Sequence, residues 1–80
     1  MRIPIEMQQL AYDMEEATII SWLKAVGDSV NRGEVIAEVE TEKASVEMEA
    51  LDTGTLVEIV EEAGAEVPVG AVIAYLETES

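Results

Sequence analysis

The residue with the clearest chemical use is Lys43, set in the run Glu40-Thr41-Glu42-Lys43-Ala44-Ser45. Its ε-amine ends four methylenes of flexible reach, which suits carrying a group better than clasping one. The chain has no cysteine and no histidine, so thiolate and imidazole catalysis are excluded, as are zinc sites of the usual kind. Carboxylate pairs such as Glu47 and Glu49 have the groups for acid–base work. At alternating positions, however, they read as a solvated face. No acidic loop has the ligand spacing of a calcium site. What remains is a primary amine, open to covalent modification or serving only as a charge that keeps a turn in water.

The flanking residues say how that amine is held. Val35, Ala37, Val39 and Thr41 alternate with Ile36, Glu38, Glu40 and Glu42, and beyond the lysine Val46, Met48 and Ala50 alternate with Ser45, Glu47 and Glu49. A period of two means strands with one buried face. The spacing predicts a β-hairpin with strands over 35–42 and 44–50 and a turn at Glu42 and Lys43. Neither turn residue is Gly or Asn, so the primed two-residue turns are disfavoured and a type I turn is expected. Glu40, Glu42, Glu47 and Glu49 surround the tip with negative field, which favours a charged ammonium and would mark the site for a positively charged surface. The nitrogen is expected to stand clear of neighbouring carboxylates, projecting into solvent.

Eighty residues are expected to make one domain, residues 1–80. Four basic against eighteen acidic residues give a net charge of −14, so nucleic acid and anionic membranes are poor partners. No apolar run approaches the ~20 residues of a membrane span, and Met1-Arg2-Ile3-Pro4 lacks the apolar core of a signal peptide. An intracellular location is expected. The 49% apolar content still supports a folded core.

Arg2 to Met7 reads as a first strand, with Pro4 requiring an edge position. Gln8 to Glu16 reads as a surface loop. Thr18 to Lys24 is the next strand, with Ile20 and Trp22 on one face and Ile19 and Leu23 on the other; Trp22 is expected in the core. Turns are expected at Gly27-Asp28, Arg32-Gly33-Glu34, Asp52-Thr53-Gly54 and Ala63-Gly64-Ala65. Val67-Pro68-Val69-Gly70 fits a type I turn with Pro at its second position. Val30 and Val67 read as lone apolar anchors. Thr55 to Glu61 is a strand with Val57 and Ile59 inward, and Val72 to Glu77 is the last.

Residues 18–42 repeat as residues 55–79, without a gap, with ten of 25 positions identical. Thr18 falls on Thr55, Gly27 on Gly64, Val30 on Val67, Gly33 on Gly70, and Val35-Ile36-Ala37 on Val72-Ile73-Ala74. Internal repetition usually means duplicated structure, and neither half buries its apolar face alone. The expected fold is all-β: a flattened barrel or sandwich of two roughly four-stranded antiparallel sheets with internal pseudo-two-fold symmetry. Ser80 would be the two-fold equivalent of Lys43, which puts the lysine and the end of the chain at opposite ends of the platform.

These motifs resemble the lipoyl domain of 2-oxo acid dehydrogenase complexes, the N-terminal domain of a dihydrolipoyl acyltransferase. The family's Gly-Asp-x-Val-x-x-Gly turn appears as Gly27-Asp28-Ser29-Val30-Asn31-Arg32-Gly33, its lysine motif as Glu40-Thr41-Glu42-Lys43-Ala44, and its second-half Gly-x-x-Val-x-x-Gly as Gly64-Ala65-Glu66-Val67-Pro68-Val69-Gly70. The stretch Met14-Glu15-Glu16-Ala17-Thr18-Ile19 also looks like family sequence. The chain departs at Leu10-Ala11-Tyr12, where many members carry a glycine after the leucine. The resemblance implies that lipoate is joined by an amide to Lys43, with Glu40, Glu42 and Ala44 helping recognition of the attachment hairpin. It implies a lipoate ligase or lipoyl transferase as modifying partner. The arm would then be reductively acylated at a thiamine-diphosphate-dependent decarboxylase, pass its acyl group to coenzyme A in the acyltransferase core, and be reoxidised by dihydrolipoyl dehydrogenase. The isolated domain would be a monomeric, non-catalytic carrier, in a bacterial cytoplasm or a mitochondrial matrix. The loop from about Leu10 to Glu16 would help the decarboxylase choose its carrier. A biotin carboxyl carrier shares the hairpin, but such carriers usually flank their lysine with methionines; here the neighbours are Glu42 and Ala44. An unmodified lipoyl-like scaffold module is the other alternative.

Overall fold

The structure, a computed structural model, describes residues 1–10 and 12–78. Its regular elements are β1 (Arg2–Glu6), β2 (Glu16–Trp22), β3 (Ser29–Val30), β4 (Val35–Glu40), β5 (Ser45–Glu49), β6 (Gly54–Ile59), β7 (Glu66–Pro68) and β8 (Val72–Glu77). They form two antiparallel four-stranded sheets, ordered β1-β8-β6-β3 and β5-β4-β2-β7. The two orders are one order written twice: β5, β4, β2 and β7 occupy the places of β1, β8, β6 and β3. The expected two-fold is therefore present, and β1 is the mate of β5. The halves do not make one sheet each, however. β3 pairs with β6 of the other half, and β7 with β2. Val30 and Val67 thus do more than anchor. Each is the fully buried residue of a short edge strand.

Side chains from both inner faces fill the space between the sheets, chiefly Ile19, Ile36, Met48, Leu56, Ile73 and Leu76, all essentially inaccessible. Each such side chain contributes ~1.5–3 kcal/mol by leaving water. Every buried side-chain polar atom among the described residues has a partner. Pro4 lies in edge strand β1, where its missing amide hydrogen costs no ladder bond.

The strict alternation expected for the strands fails at four bulges. Val35 faces Glu49 and Ala37 faces Met48, so Ile36 is the extra residue. Ile36 and Ala37 are consequently both buried instead of facing opposite ways. Ile73 is the extra residue at the equivalent place, where Glu6 faces Val72 and Ile5 faces Ala74. Ile20 is skipped between β2 and β4, and Val57 between β6 and β8. So the buried residues are Ile19 and Leu56, while Ile20 is exposed and Val57 half-buried. This corrects the expected inward placement of Val57. Trp22 is half-buried against the core, and its Nε1 donates to the Glu61 carbonyl at 2.9 Å.

The Pro68 turn also differs from expectation. Ala71 N–H donates to Pro68 O at 3.1 Å, so the turn runs 68–71 with Pro68 first and Gly70 third. Gly70 has φ +93°, the positive value that a type II turn needs at its third position and that type I does not. The mate at 31–34 has Glu34 N–H donating to Asn31 O and Gly33 at φ +88°. Gly54, expected in a turn, opens β6 instead. A Cβ there would lie 2.3 Å from the Glu77 carbonyl oxygen.

Candidate functional site

β4 ends at Glu40 and β5 begins at Ser45, so four residues, Thr41 to Ala44, carry the chain over. The strands are shorter and the tip longer than expected. Thr41 shapes the tip. Its N–H and its Oγ1–H both donate to Ala44 O, at 2.9 and 3.0 Å, and Oγ1 accepts from the N–H groups of Lys43 and Ala44, at 3.4 and 3.3 Å. A threonine hydroxyl satisfying the backbone of its own turn fixes that turn without glycine. No non-glycine residue among those described has positive φ. Glu42, Lys43 and Ala44 are all exposed at the tip, and Glu40 is exposed just below it, between Thr18 of β2 and Ser45 of β5.

The Lys43 amine does not stand clear of carboxylates. Nζ lies 3.0 Å from Asp13 Oδ2, with the two side chains 75% and 55% exposed. That corrects the expectation of an unpartnered ammonium. It leaves the amine reachable, because ion pairs this exposed contribute only ~0–1 kcal/mol. Lys24, the other lysine, pairs with Glu34 at 2.7 Å. The Lys24 ammonium, then the Asn31 N–H that donates to Glu34 Oε1, hold the Glu34 carboxyl below the usual glutamate range.

Asp13 reaches Lys43 because the segment between β1 and β2 crosses to the hairpin tip. Met14 is buried and pins the segment; the Leu10 N–H points at its sulfur, 3.3 Å away. Tyr12 at the crest is 99% exposed. The segment is thus a surface loop anchored by Met14 and, less deeply, by Leu10, anchors that its weak periodicity does not mark. Between it and the tip lies an open cleft lined by Asp13, Met14, Glu15, Glu16, Thr41, Glu42 and Lys43. The family departure at Leu10-Ala11-Tyr12 includes Ala11, which lies outside the described residues.

The two-fold explains why this loop exists at one end only. Met7 exchanges backbone bonds with Gly70 and Ala71, as Ala50 does with Gly33 and Glu34, so Met7 and Ala50 are equivalent. Ala17 faces Val67 as Gly54 faces Val30. Nine residues connect Met7 to Ala17, but three connect Ala50 to Gly54. The six-residue excess falls beside Lys43. At the opposite end, Thr78 repeats the Thr41 arrangement: its N–H and Oγ1–H donate to Met1 O at 2.7 and 3.1 Å. Glu79 and Ser80, the expected mates of Glu42 and Lys43, lie outside the described residues.

The outer face of the hairpin sheet carries facing glutamates, Glu38 opposite Glu47. The other sheet is partly neutralised by Arg2, which pairs with Glu58 and lies 4.7 Å from the centre of the Tyr75 ring. No helix among the described residues is long and apolar enough to cross a membrane.

Residues 3–76 match the Biotin_lipoyl family, described as "Biotin-requiring enzyme". The chain is 50% identical, over 99% of its length, to the dihydrolipoyllysine-residue acetyltransferase component of pyruvate dehydrogenase complex from Rhizobium meliloti. It is 54% identical, over 88% of its length, to component 2 of the mitochondrial counterpart from Arabidopsis thaliana. It spans 18% and 13% of those proteins. A pyruvate dehydrogenase E1 component subunit beta of Rhizobium meliloti is 48% identical over 95% of the chain, which spans 17% of it. Among solved structures, the lipoyl domain of the 2-oxoglutarate dehydrogenase complex from Azotobacter vinelandii superposes with TM-score 0.75 at 29% identity, covering 98% of this chain and 99% of that one. The urea carboxylase of Kluyveromyces lactis shares the fold, with TM-score 0.79 at 19% identity over 96% of this chain and 6% of its own. An exposed lysine on a threonine-clamped hairpin, carried by a two-fold sandwich of this kind, agrees with those likenesses: the chain belongs to the biotin- and lipoyl-attachment family, and within it is a lipoyl domain of the kind found in dihydrolipoyl acyltransferases.

Proposed function

We propose that Lys43 is the attachment residue and that residues 1–80 act as one lipoyl carrier domain of a 2-oxo acid dehydrogenase complex, pyruvate being the substrate that most of the relatives' names favour. The observation that carries the reading is the Lys43 amine, exposed at the tip of a rigid turn on a sandwich superposable on a lipoyl domain. An amide-linked group there needs a reachable primary amine and freedom to swing, and the tip offers both. The Lys43 ammonium gives up two protons as its nitrogen bonds the ATP-activated carboxyl carbon of lipoate, whose activating group leaves with the oxygen. Lipoate so held supplies a dithiolane that accepts and delivers acyl groups and electrons. The chain itself contributes the tether, the reach and a recognisable acidic surface, raising the local concentration of the arm at each active site.

Thr41 holds the turn, while Glu40, Glu42 and Ala44 are the side chains that a lipoate ligase or lipoyl transferase meets beside the amine. The loop around Tyr12 and Asp13, against the same tip, is the surface by which a thiamine-diphosphate-dependent decarboxylase selects this carrier. The acyltransferase core and dihydrolipoyl dehydrogenase complete the set of partners. Bacterial and mitochondrial relatives support a bacterial cytoplasm or a mitochondrial matrix.

Intact-mass measurement after co-expression with a lipoate ligase tests the reading. The parent is expected to gain one lipoyl increment and Lys43→Arg none. A biotin increment would favour a biotin carrier instead. No increment, with the fold intact, would favour a scaffold role.

A further inference from the structure

The ion pair between Lys43 and Asp13 has a consequence for the modification itself. Asp13 sits on the loop that the two-fold marks as extra, and its bond to Lys43 Nζ is the single side-chain hydrogen bond from loop residues 9–14 to the hairpin tip among the described residues. The other bonds of the loop are internal, Gln9 to the Tyr12 carbonyl and the Leu10 N–H to the Met14 sulfur, or lead away from the tip, Gln8 to the Glu49 carbonyl and the Val69 N–H to the Glu15 carbonyl. Met14 and the partly buried Leu10 anchor the two sides of the loop in the core. Apart from the Lys43 bond and the Gln9 bond to the Tyr12 carbonyl, no side-chain bond among the described residues holds Tyr12 and Asp13. An amide at Nζ is uncharged. Acylation therefore ends the charge–charge attraction and leaves Asp13 without a cation, beside Glu15, Glu16 and Glu42 along the cleft.

We infer that Asp13 is a positioning residue that makes the loop a reporter of the modification state. In the unmodified chain the pair draws the Tyr12–Asp13 crest onto the hairpin. In the modified chain the crest is released and the cleft becomes more acidic. A partner with a basic surface, reading loop and tip together, then meets different surfaces on loaded and empty carriers. This rests on Lys43 being the attachment residue, and its test separates the two.

The backbone amides of Tyr12, Asp13 and Met14 are followed by 15N-resolved NMR in the parent, Lys43→Gln, Asp13→Asn and the double variant. Lys43 and Asp13 are both exposed, so the substitutions leave the core untouched. Both single variants are expected to shift the Tyr12 and Asp13 amides in the same direction. The double variant should add nothing further, and the order parameters of these amides should fall below the rigid value near ~0.85. Sodium chloride at 1 M should move the parent resonances the same way, because an exposed pair is screened, and should leave the double variant unmoved. After treatment with lipoate ligase, lipoate and ATP, the parent amides should coincide with those of Lys43→Gln. If the ligase adds its increment and the Tyr12 and Asp13 amides stay where they were, the inference fails while the attachment reading stands. If Lys43→Gln shifts them but no increment forms on the parent, the pair is real and both the attachment reading and the reporter role fall.

Discussion

Replacing residues 8–16 with the three residues Leu51-Asp52-Thr53, which serve the equivalent connection, should leave a folded domain of reduced stability. Closing three residues in place of nine lowers the entropic cost by about 1 kcal/mol, from the logarithmic dependence on loop length. Removing the buried Met14 side chain costs ~1.5–3 kcal/mol of apolar burial. The bond that the Val69 N–H makes to the Glu15 carbonyl at 2.9 Å is lost. The graft replaces it, because Thr53 Oγ1 accepts from Arg32 N–H at 3.0 Å, and Arg32 is the two-fold mate of Val69. Loss of the exposed Asp13–Lys43 pair adds at most ~1 kcal/mol. The net loss is roughly 1–3 kcal/mol, which for a domain of this size lowers the melting temperature by roughly 5–20 °C at ~4–8 °C per kcal/mol. Thermal and urea unfolding followed by circular dichroism read this directly. Absence of a cooperative transition would show that the long loop is part of the folding unit, against the reasoning from symmetry. Unchanged stability would show that Met14 is not an anchor.

Gly54→Ala forces a Cβ against the Glu77 carbonyl in the central pair of its sheet; overpacking of this kind costs ~1–3 kcal/mol, and urea midpoints should fall accordingly while Lys43, at the other end, remains modifiable. For Glu34 the sign follows from a carboxyl whose folded pKa is lowered by Lys24 and the Asn31 N–H. Its stabilisation is present above the unfolded value near ~4.3 and is lost as pH falls through the lower folded value. Urea midpoints of the parent and Glu34→Gln should therefore differ most near neutrality and converge in acid; a constant gap would refute the assignment.

Much of this fold is readable from alternation and repetition, and its failures repeat as well. Ile36 and Ile73 break the period at one bulge, Ile20 and Val57 at the other. An extra residue in one strand has no mark in side-chain type, since isoleucine and valine suit both faces. Comparing the two halves repeats such an error in each. Val30 and Val67 pass for isolated anchors because two or three residues are too short for any period. The lysine tip was legible because glutamates bracket it without glycine. Its Asp13 partner was not, because 30 residues separate them. The six-residue excess of the loop is hidden as well, because Met1–Met7 and Ala44–Ala50 share a single identity, Glu6 with Glu49, and only their equivalent places in the two sheets show them to be mates.

The pairing of β1 with β8, which sets Arg2 against Glu77, ties the opening of the chain to its close. With β3 and β7 each lent to the opposite sheet, neither repeat makes a finished object by itself. Folding is therefore expected to be all-or-none and slow by the standard of small domains, as non-local β topologies are. The hairpin sheet lacks its edge strand until β7 has been made, and the sheet that covers it lacks a central strand until β8 follows. Without β8 the buried face of the hairpin sheet has no complete partner to pack on, so a chain shortened before residue 72 is expected to lose the cooperative transition of the whole domain.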